Sequence, residues 1–345
     1  MPRIAPRDPK AEPSADHVRT FSSAAQINRQ ELQVFWQQVT QSSLLTTNKL
    51  HIAYCFIKHP DTTRAIVISN GRIESYLKYK ELIFDLYQQG YSVYAIDHRG
   101  QGLSSRLTLN PHQGHIDKFS TYINDFSLFI DQVILPQQHN TLFLLGHSMG
   151  STIGTLYMQQ KPNTFNAAAF VAPMYGIKLP ISRPFIRWLA EKLDNRCKRR
   201  EPNYILGGKN YEAGSFNKNQ LTHCLERYEA TLQCYQAMPQ IQLGSPTNHW
   251  LIEAIDAAEE AVLAAQTPPA PLLIVQAGRD TIVDNRSQNR AAGILSKVCR
   301  SSAHQQSQLI SIPDARHEVL MEKDTPRNLA LNSILDFFEQ HTPLS

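Results

Sequence analysis

Gly146-His147-Ser148-Met149-Gly150 follows directly on the apolar run Thr141-Leu142-Phe143-Leu144-Leu145. A strand that ends in Gly-x-Ser-x-Gly and leads into a helix is the sequence form of a nucleophile elbow, a turn so tight that glycine is wanted on both flanks of the serine. Ile153, Leu156 and Tyr157 supply the helical spacing behind it, with Gly154 as a further small packing position. Strain in such a turn lifts the serine hydroxyl clear of the sheet, and the helix N-terminus aims backbone N–H groups at the same point. The five-residue pattern also arises by chance, so the partners decide its meaning. A serine hydroxyl is a poor nucleophile at neutral pH and needs a base that is itself oriented by an acid. Downstream, the run Leu273-Ile274-Val275-Gln276-Ala277-Gly278-Arg279-Asp280 sets a carboxylate just past the end of a strand. A second run, Leu309 to Ile312, is followed by the short loop that ends in His317. Ser148, Asp280 and His317 stand in the order nucleophile, acid, base, at the sheet edge where active-site groups collect. Asp284 competes as the acid but lies farther from its strand, and Asp314 is too close to His317 to orient it easily; the alternative for His317 is a surface histidine. The chemistry is acyl transfer through a serine ester. Its tetrahedral intermediate needs two N–H donors, for which the candidates are Met149, next to the nucleophile, and Arg72 in the loop Ile68 to Ser75, where Gly71 lets the backbone come close.

These residues must be held by an alternating framework. Leu50 to Ile57 alternates as a strand does, and Ala65 to Ser69 is a short buried strand. Ser75 caps a helix with Tyr79, Leu82, Ile83 and Leu86 at helical spacing, ending near Gly90. Tyr91 to Ile96 is another buried strand, followed by the loop Asp97-His98-Arg99-Gly100-Gln101-Gly102. A helix is expected over Tyr122 to Val133, and strands at Ala167 to Val171, Pro271 to Gln276 and Gln308 to Ile312. The last helix begins at Thr325-Pro326 and runs through Leu329, Ile334, Leu335 and Phe338. The fold class is therefore α/β, with a mostly parallel central sheet covered by helices on both faces. Between about Tyr175 and Thr267 the pattern turns to helical spacing with many aromatic residues, which predicts an inserted helical cap. The expected organisation is a loosely ordered extension over residues 1–30, a core over 31–174 and 268–345, and the cap over 175–267.

The 345 residues, 42% of them hydrophobic, suffice for a large core, and no apolar run approaches the roughly 18 residues that span a bilayer. The N-terminus has no apolar segment of the secretory kind. The cysteines Cys55, Cys197, Cys224, Cys234 and Cys299 are scattered without CxxC spacing, which favours free thiols in a reducing compartment. Net charge is only +4, yet Lys178 to Arg200 holds eight bases against two acids. His317-Glu318 lacks the second histidine of a zinc-protease helix, and His112 and His115 fall in a Gly/Pro loop, so no metal is expected. Gly100-Gln101-Gly102 lacks the third glycine of a dinucleotide fingerprint and there is no P-loop; no cofactor is called for. The basic segment matches no nucleic-acid-binding module, so no nucleic acid is expected, and no obligate protein partner is inferred.

Taken together, Gly-His-Ser-Met-Gly, the Asp-His-Arg-Gly-Gln-Gly loop, Asn-Gly-Arg-Ile-Glu-Ser and the late Asp280 and His317 resemble α/β-hydrolases of the monoglyceride-lipase group, and within it the inner-membrane lysophospholipases of Gram-negative bacteria. The resemblance spans about Leu50 to the C-terminus. It implies the α/β-hydrolase fold and hydrolysis of the acyl ester of a lysophospholipid to a fatty acid and a glycerophosphodiester. It also implies a triad of Ser148, Asp280 and His317, with Arg72 and Met149 as oxyanion donors. Many relatives carry His-Gly where this chain has Asn70-Gly71, which leaves the backbone donor intact but alters the bonding that shapes its loop. In the expected cap, Phe185, Trp188, Leu189 and Leu193 fall roughly on one helical face flanked by Arg187 and Lys192. Such a face suits contact with an anionic membrane surface, and the alternative is that it packs on the core with its bases solvated. The expected location is cytoplasmic, peripheral to the inner membrane and not secreted. A monoacylglycerol lipase, a lysophospholipid acyltransferase and a non-catalytic lipid-binding protein of the same fold are the competing readings.

Overall fold

The computed structural model describes residues 19–27, 29–194, 201–265, 268–299 and 308–343. Eight strands form one sheet: β1 (Thr40–Leu45), β2 (His51–Ile57), β3 (Arg64–Ser69), β4 (Ser92–Ile96), β5 (Thr141–His147), β6 (Ala167–Val171), β7 (Leu272–Ala277) and β8 (Gln308–Ile312). Their order across the sheet is β1-β2-β4-β3-β5-β6-β7-β8, with only the β1–β2 and β2–β4 pairs antiparallel. Strands β3, β5, β6 and β7 are almost entirely buried, as expected of parallel strands covered on both faces. Strand β1 escaped the periodicity reading because it is a polar edge strand in which only Leu44 is buried.

Nine helices are described: α1 (Gln30–Trp36), α2 (Lys80–Gln88), α3 (Ser120–Phe129), α4 (Met149–Gln160), α5 (Arg183–Leu193), α6 (Leu225–Ala237), α7 (Asn248–Ala264), α8 (Asn285–Cys299) and α9 (Asp324–Gln340). Ser75 caps a short 3-10 turn, accepting the Leu77 N–H, and that turn runs straight into α2. Helix α3 continues as a π-helical turn at Ile130–Ile134, so the expected helix there changes its winding partway. Helix α9 lies against β6 to β8, and its Phe338 stacks on Phe143 of β5 with ring centroids 4.4 Å apart.

The chain leaves β3 towards β4 on one side and returns to β5 on the other. The carboxyl ends of β3 and β5, where Ser69 pairs with Gly146, therefore flank the topological switch point of the sheet. Both loops that leave those ends carry predicted site residues.

Two features depart from the expected organisation. Residues 1–18 lie outside the described part, but residues 19–27 are tied to the core: Arg19 pairs with Asp336 and Glu339, Ser22 with Asp85, and Ser23 and Ala24 with Asp324. Within the expected insert, α7 packs against α4 and α8 and belongs to the layer covering the sheet. Its run of small residues, Ala254, Ala257, Ala258 and Ala261, is fully covered, which permits this close approach. Helix α5 rests on the other side of α7, burying Ala190 with Leu251, Ile252 and Ile255 in a small cluster separate from the main core. Helix α6 is anchored by Arg227, whose guanidinium is fully buried against Glu81 and Asp324.

Candidate active site

Ser148 sits between β5 and α4 with φ +50° and ψ −115°, a strained conformation for a residue with a side chain. Its neighbours hold it there. The Ser148 N–H donates to Val171 O at 3.0 Å, and the Ser148 carbonyl accepts from Met174 N at 3.1 Å. A side chain at Gly150 would fall on the Ser69 and Asn70 carbonyls at the end of β3, and one at Gly146 would meet Ser151 Cα at 2.8 Å. The glycines of the pattern are thus required by close backbone approach.

The loops after β7 and β8 are laced together through Gly278 N to Ile312 O and Arg279 N to Ala315 O, both 2.9 Å. This brings Asp280 and His317 face to face. His317 Nδ1 lies 2.8 Å from Asp280 Oδ2, and His317 Nε2 lies 3.0 Å from Ser148 Oγ. The other Asp280 oxygen accepts the N–H groups of Ile282 and Val283 at 2.7 and 3.0 Å. Burial alone would raise the Asp280 carboxyl, but His317 and the two backbone donors hold it below its ordinary value. Asp284 points elsewhere: its carboxylate accepts Arg286 N, at the start of α8.

Gly71 packs directly on the elbow, since a Cβ there would stand 3.2 Å from Ser148 Cβ. Among the described residues, neither the Arg72 N–H nor the Met149 N–H is engaged in a hydrogen bond; Met149 opens α4, where N–H groups have no partner within the helix. The loop's shape comes from Asp97, whose carboxylate accepts from Asn70 Nδ2, Ser75 Oγ, Tyr76 N and Leu103 N. Gln101 Nε2 adds bonds to Gly71 O at 2.7 Å and Glu74 O at 3.0 Å. Asn70 is therefore a structural member of this network. The loop Asp97 to Gly102, read from sequence only as a motif, is the mould for the Gly71-Arg72 segment. Ile73 takes φ +70°, costly for a β-branched residue, and its carbonyl accepts the Tyr235 hydroxyl at 3.0 Å.

Sequence reasoning missed a buried ionic cluster behind these loops. Glu74 accepts from Gly71 N, His147 Nδ1, Lys78 Nζ and the Tyr79 hydroxyl, while Lys78 also reaches Glu318. His147 Nε2 faces the His317 carbonyl at 3.2 Å, so both ring nitrogens meet acceptors. Burial opposes each charge, yet His147 and Lys78 keep the Glu74 carboxyl well below its ordinary value, and Glu74 raises His147. The one sequence signal was the i,i+4 spacing of Glu74 and Lys78.

The predicted membrane-facing residues are spread around α5. Phe185 and Trp188 are 47% and 50% exposed and in ring contact at 5.6 Å, while Leu189 is half-buried. Arg187 forms a fork on Asp256 and also pairs with Glu191, its side chain lying on the flank towards α7. Arg183 pairs likewise with Glu259. Arg196, Lys198, Arg199 and Arg200 of the basic stretch lie outside the described residues, as does Cys197. His115, in the Gly/Pro loop, meets Thr247 Oγ1 at 2.9 Å, and no group of three metal-binding side chains occurs among the described residues.

Residues 60–324 match the family described as serine aminopeptidase, S33. The chain is 35% identical to lysophospholipase L2 of Escherichia coli strain K12 over 307 residues, which cover 89% of each protein. It is 33% identical to the probable lysophospholipase L2 of Haemophilus influenzae, over 89% of this chain and 94% of the relative. Its fold is that of a soluble variant of monoglyceride lipase from Saccharomyces cerevisiae, with a TM-score of 0.68 at 18% identity, over 89% and 96% of the two chains.

Proposed function

The chain belongs to the serine aminopeptidase S33 family of α/β-hydrolases and is a carboxylic ester hydrolase, and on that premise we propose that it cleaves the acyl ester of lysophospholipids, releasing a fatty acid and a glycerophosphodiester. The observation that carries the catalytic assignment is the relay Asp280 Oδ2, His317, Ser148 Oγ at 2.8 and 3.0 Å. In the first half-reaction Ser148 Oγ attacks the ester carbonyl as its proton passes to His317 Nε2. Asp280 keeps the opposite nitrogen protonated and stabilises the imidazolium. The negative oxygen is received by the Arg72 and Met149 N–H groups. Collapse breaks the bond to the glycerol oxygen, which takes the proton from His317 and departs. Water, deprotonated by His317, then attacks the acyl-serine, and the fatty acid leaves with Ser148 restored. The family relationship to lysophospholipases along most of the chain supports the substrate class.

In this reading residues 175–194 and 201–247 belong to the cap, and the exposed Phe185–Trp188 pair on α5 is its contact with a membrane surface. No helix among the described residues is long and apolar enough to cross a membrane. The association we propose is peripheral, at the cytoplasmic face of the inner membrane.

The test sets a lysophosphatidylcholine beside a monoacylglycerol of the same chain length, for the wild-type protein and Ser148→Ala. The expected result is fatty acid release from the lysophospholipid, lowered about 10⁶-fold in the variant, with fluorophosphonate labelling of wild type alone. Release from monoacylglycerol only would refute the substrate assignment, and full turnover by the variant would refute the nucleophile.

A further inference from the structure

The Arg72 side chain has no role in the relay, yet it is the most unusual charge near it. Its guanidinium leaves the loop that packs on Ser148 and runs beneath the segment 244–250. Nη2 donates to Gly244 O at 2.7 Å, and the guanidinium carbon lies 5.2 Å from the centre of the Trp250 ring. Nε is shielded from solvent and has no hydrogen-bond partner. Among the described residues no carboxylate pairs with this cation; the ionisable groups that act on it are the phenols of Tyr122 and Tyr204. Burial pushes both phenols up, Tyr122 to about 12, so both are uncharged at neutral pH. Burial also draws Arg72 itself down to about 10, which still leaves it charged.

Other buried basic groups have acids. Lys78 has Glu74 and Glu318, His147 has Glu74, Arg227 has Glu81 and Asp324, and Arg327 has Asp85. A buried charge without a counter-charge is costly, and the cost is offset when an anion arrives. The residue keeps part of its surface open. Gly114 contributes to that room, since a Cβ there would stand 3.3 Å from Nη2 and 3.4 Å from Nε. A planar guanidinium with free N–H groups is the natural partner of a phosphate.

We propose that the Arg72 guanidinium is the specificity determinant for substrates carrying a phosphodiester, binding that group while the same residue's N–H faces the scissile carbonyl. The inference rests on the lysophospholipase reading for the source of the phosphodiester. A glycerol backbone separates the two groups in such a lipid, and an arginine side chain separates them in the protein. Neutral monoacylglycerols offer nothing to this charge.

The experiment compares kcat/KM for lysophosphatidylcholine and for a monoacylglycerol of the same acyl chain in wild type, Arg72→Gln and Arg72→Lys. The expected result is a fall in the ratio of the two constants of about 10- to 100-fold in R72Q, the size of one charge-assisted bond, with partial recovery in R72K. A ratio within about twofold of wild type, whatever the absolute rates, overturns the proposal. Inhibition separates this outcome from a failure of the function itself and serves where R72Q does not fold. Glycerophosphocholine is expected to compete with a neutral chromogenic ester on the wild-type protein and several-fold more weakly on R72K. No competition beyond that of glycerol, or tighter competition by inorganic phosphate than by the diester, overturns the assignment to a lipid headgroup.

Discussion

Replacing Asp280 by Asn distinguishes the two candidate acids and has a magnitude that follows from the hydrogen bonds. One Asp280 oxygen accepts two backbone N–H groups, from Ile282 and Val283, and the other faces His317 Nδ1. An asparagine keeps the two backbone bonds by placing its carbonyl oxygen on them. Its NH₂ must then face Nδ1, and a donor there selects the tautomer with the proton on Nε2. That nitrogen lies 3.0 Å from Ser148 Oγ and can no longer accept the serine proton. The loss expected for a misdirected tautomer in this constellation is about 10⁴ in kcat, or about 5.5 kcal/mol of transition-state stabilisation. Folding should be nearly unaffected, because the turn's backbone donors stay satisfied. Asp284→Asn is the control, since its carboxylate only accepts Arg286 N at the start of α8. The assay is kcat/KM on a short-chain p-nitrophenyl ester, with thermal unfolding of each variant. Activity of D280N within tenfold of wild type, or an equal loss in D284N, would refute the reasoning.

Glu74→Gln leaves Lys78 and His147 without their shared acid, and an unfolding titration at pH 7 should show a loss of about 3–5 kcal/mol, the cost of breaking a buried pair. Because the folded-state Glu74 carboxyl is held below its ordinary value, its contribution is complete above about pH 4.3 and disappears as pH falls through the folded value; equal stability of the two proteins at pH 7 would contradict this. Replacing both Phe185 and Trp188 by Ser removes the exposed aromatic pair, and sedimentation with vesicles containing anionic lipid should show binding reduced by about tenfold or more. Arg187→Ala should weaken vesicle binding far less, as its charge is already matched by Asp256 and Glu191; the opposite ranking would mean that charge rather than apolar contact holds the surface.

The parallel core was legible because each of its strands is a short apolar run ended by a turn signal, and parallel burial removes any polar alternation that would blur such runs. The three residues of the relay were legible for the same reason. Ser148, Asp280 and His317 each lie within about five residues of the end of such a run, so chain order and strand ends made them candidates without knowledge of contacts. What stayed hidden depended on pairs distant in sequence. Lys78 meets Glu318 across 240 positions, and His147 meets Glu74 across 73. Nothing local distinguishes these residues from solvated surface charges. The placement of α7 was hidden too, since its alanine-rich face reads as a plain helix and shows its purpose only against α4. The pairing of Arg187 with Asp256 was hidden for a related reason: counting bases along a segment ignores acids contributed by a neighbouring helix.

The distribution of charge around Ser148 bears on which ester is presented to it. The loop after β3 carries three devices: Gly71 packs on the elbow, Arg72 sets its guanidinium against the Trp250 ring, and Glu74 turns back into the ionic cluster. Behind the elbow, Glu74 and Glu318 stand against Lys78, and Glu74 also against His147, so the basic groups of this cluster meet acids. Among the described residues, no acid pairs with Arg72. On the role proposed for Arg72, its unpaired charge meets the substrate in a region of low dielectric, where a single charge acts strongly. A neutral ester gains nothing from that field until the oxyanion forms, whereas a lipid with a phosphodiester is attracted on approach and oriented when bound. In the oxyanion hole proposed above, the same positive charge adds to the Arg72 and Met149 N–H donors as negative charge develops on the carbonyl oxygen. On that reading one loop, set by its contacts with Asp97 and Gln101, couples recognition of the headgroup to stabilisation of the transition state.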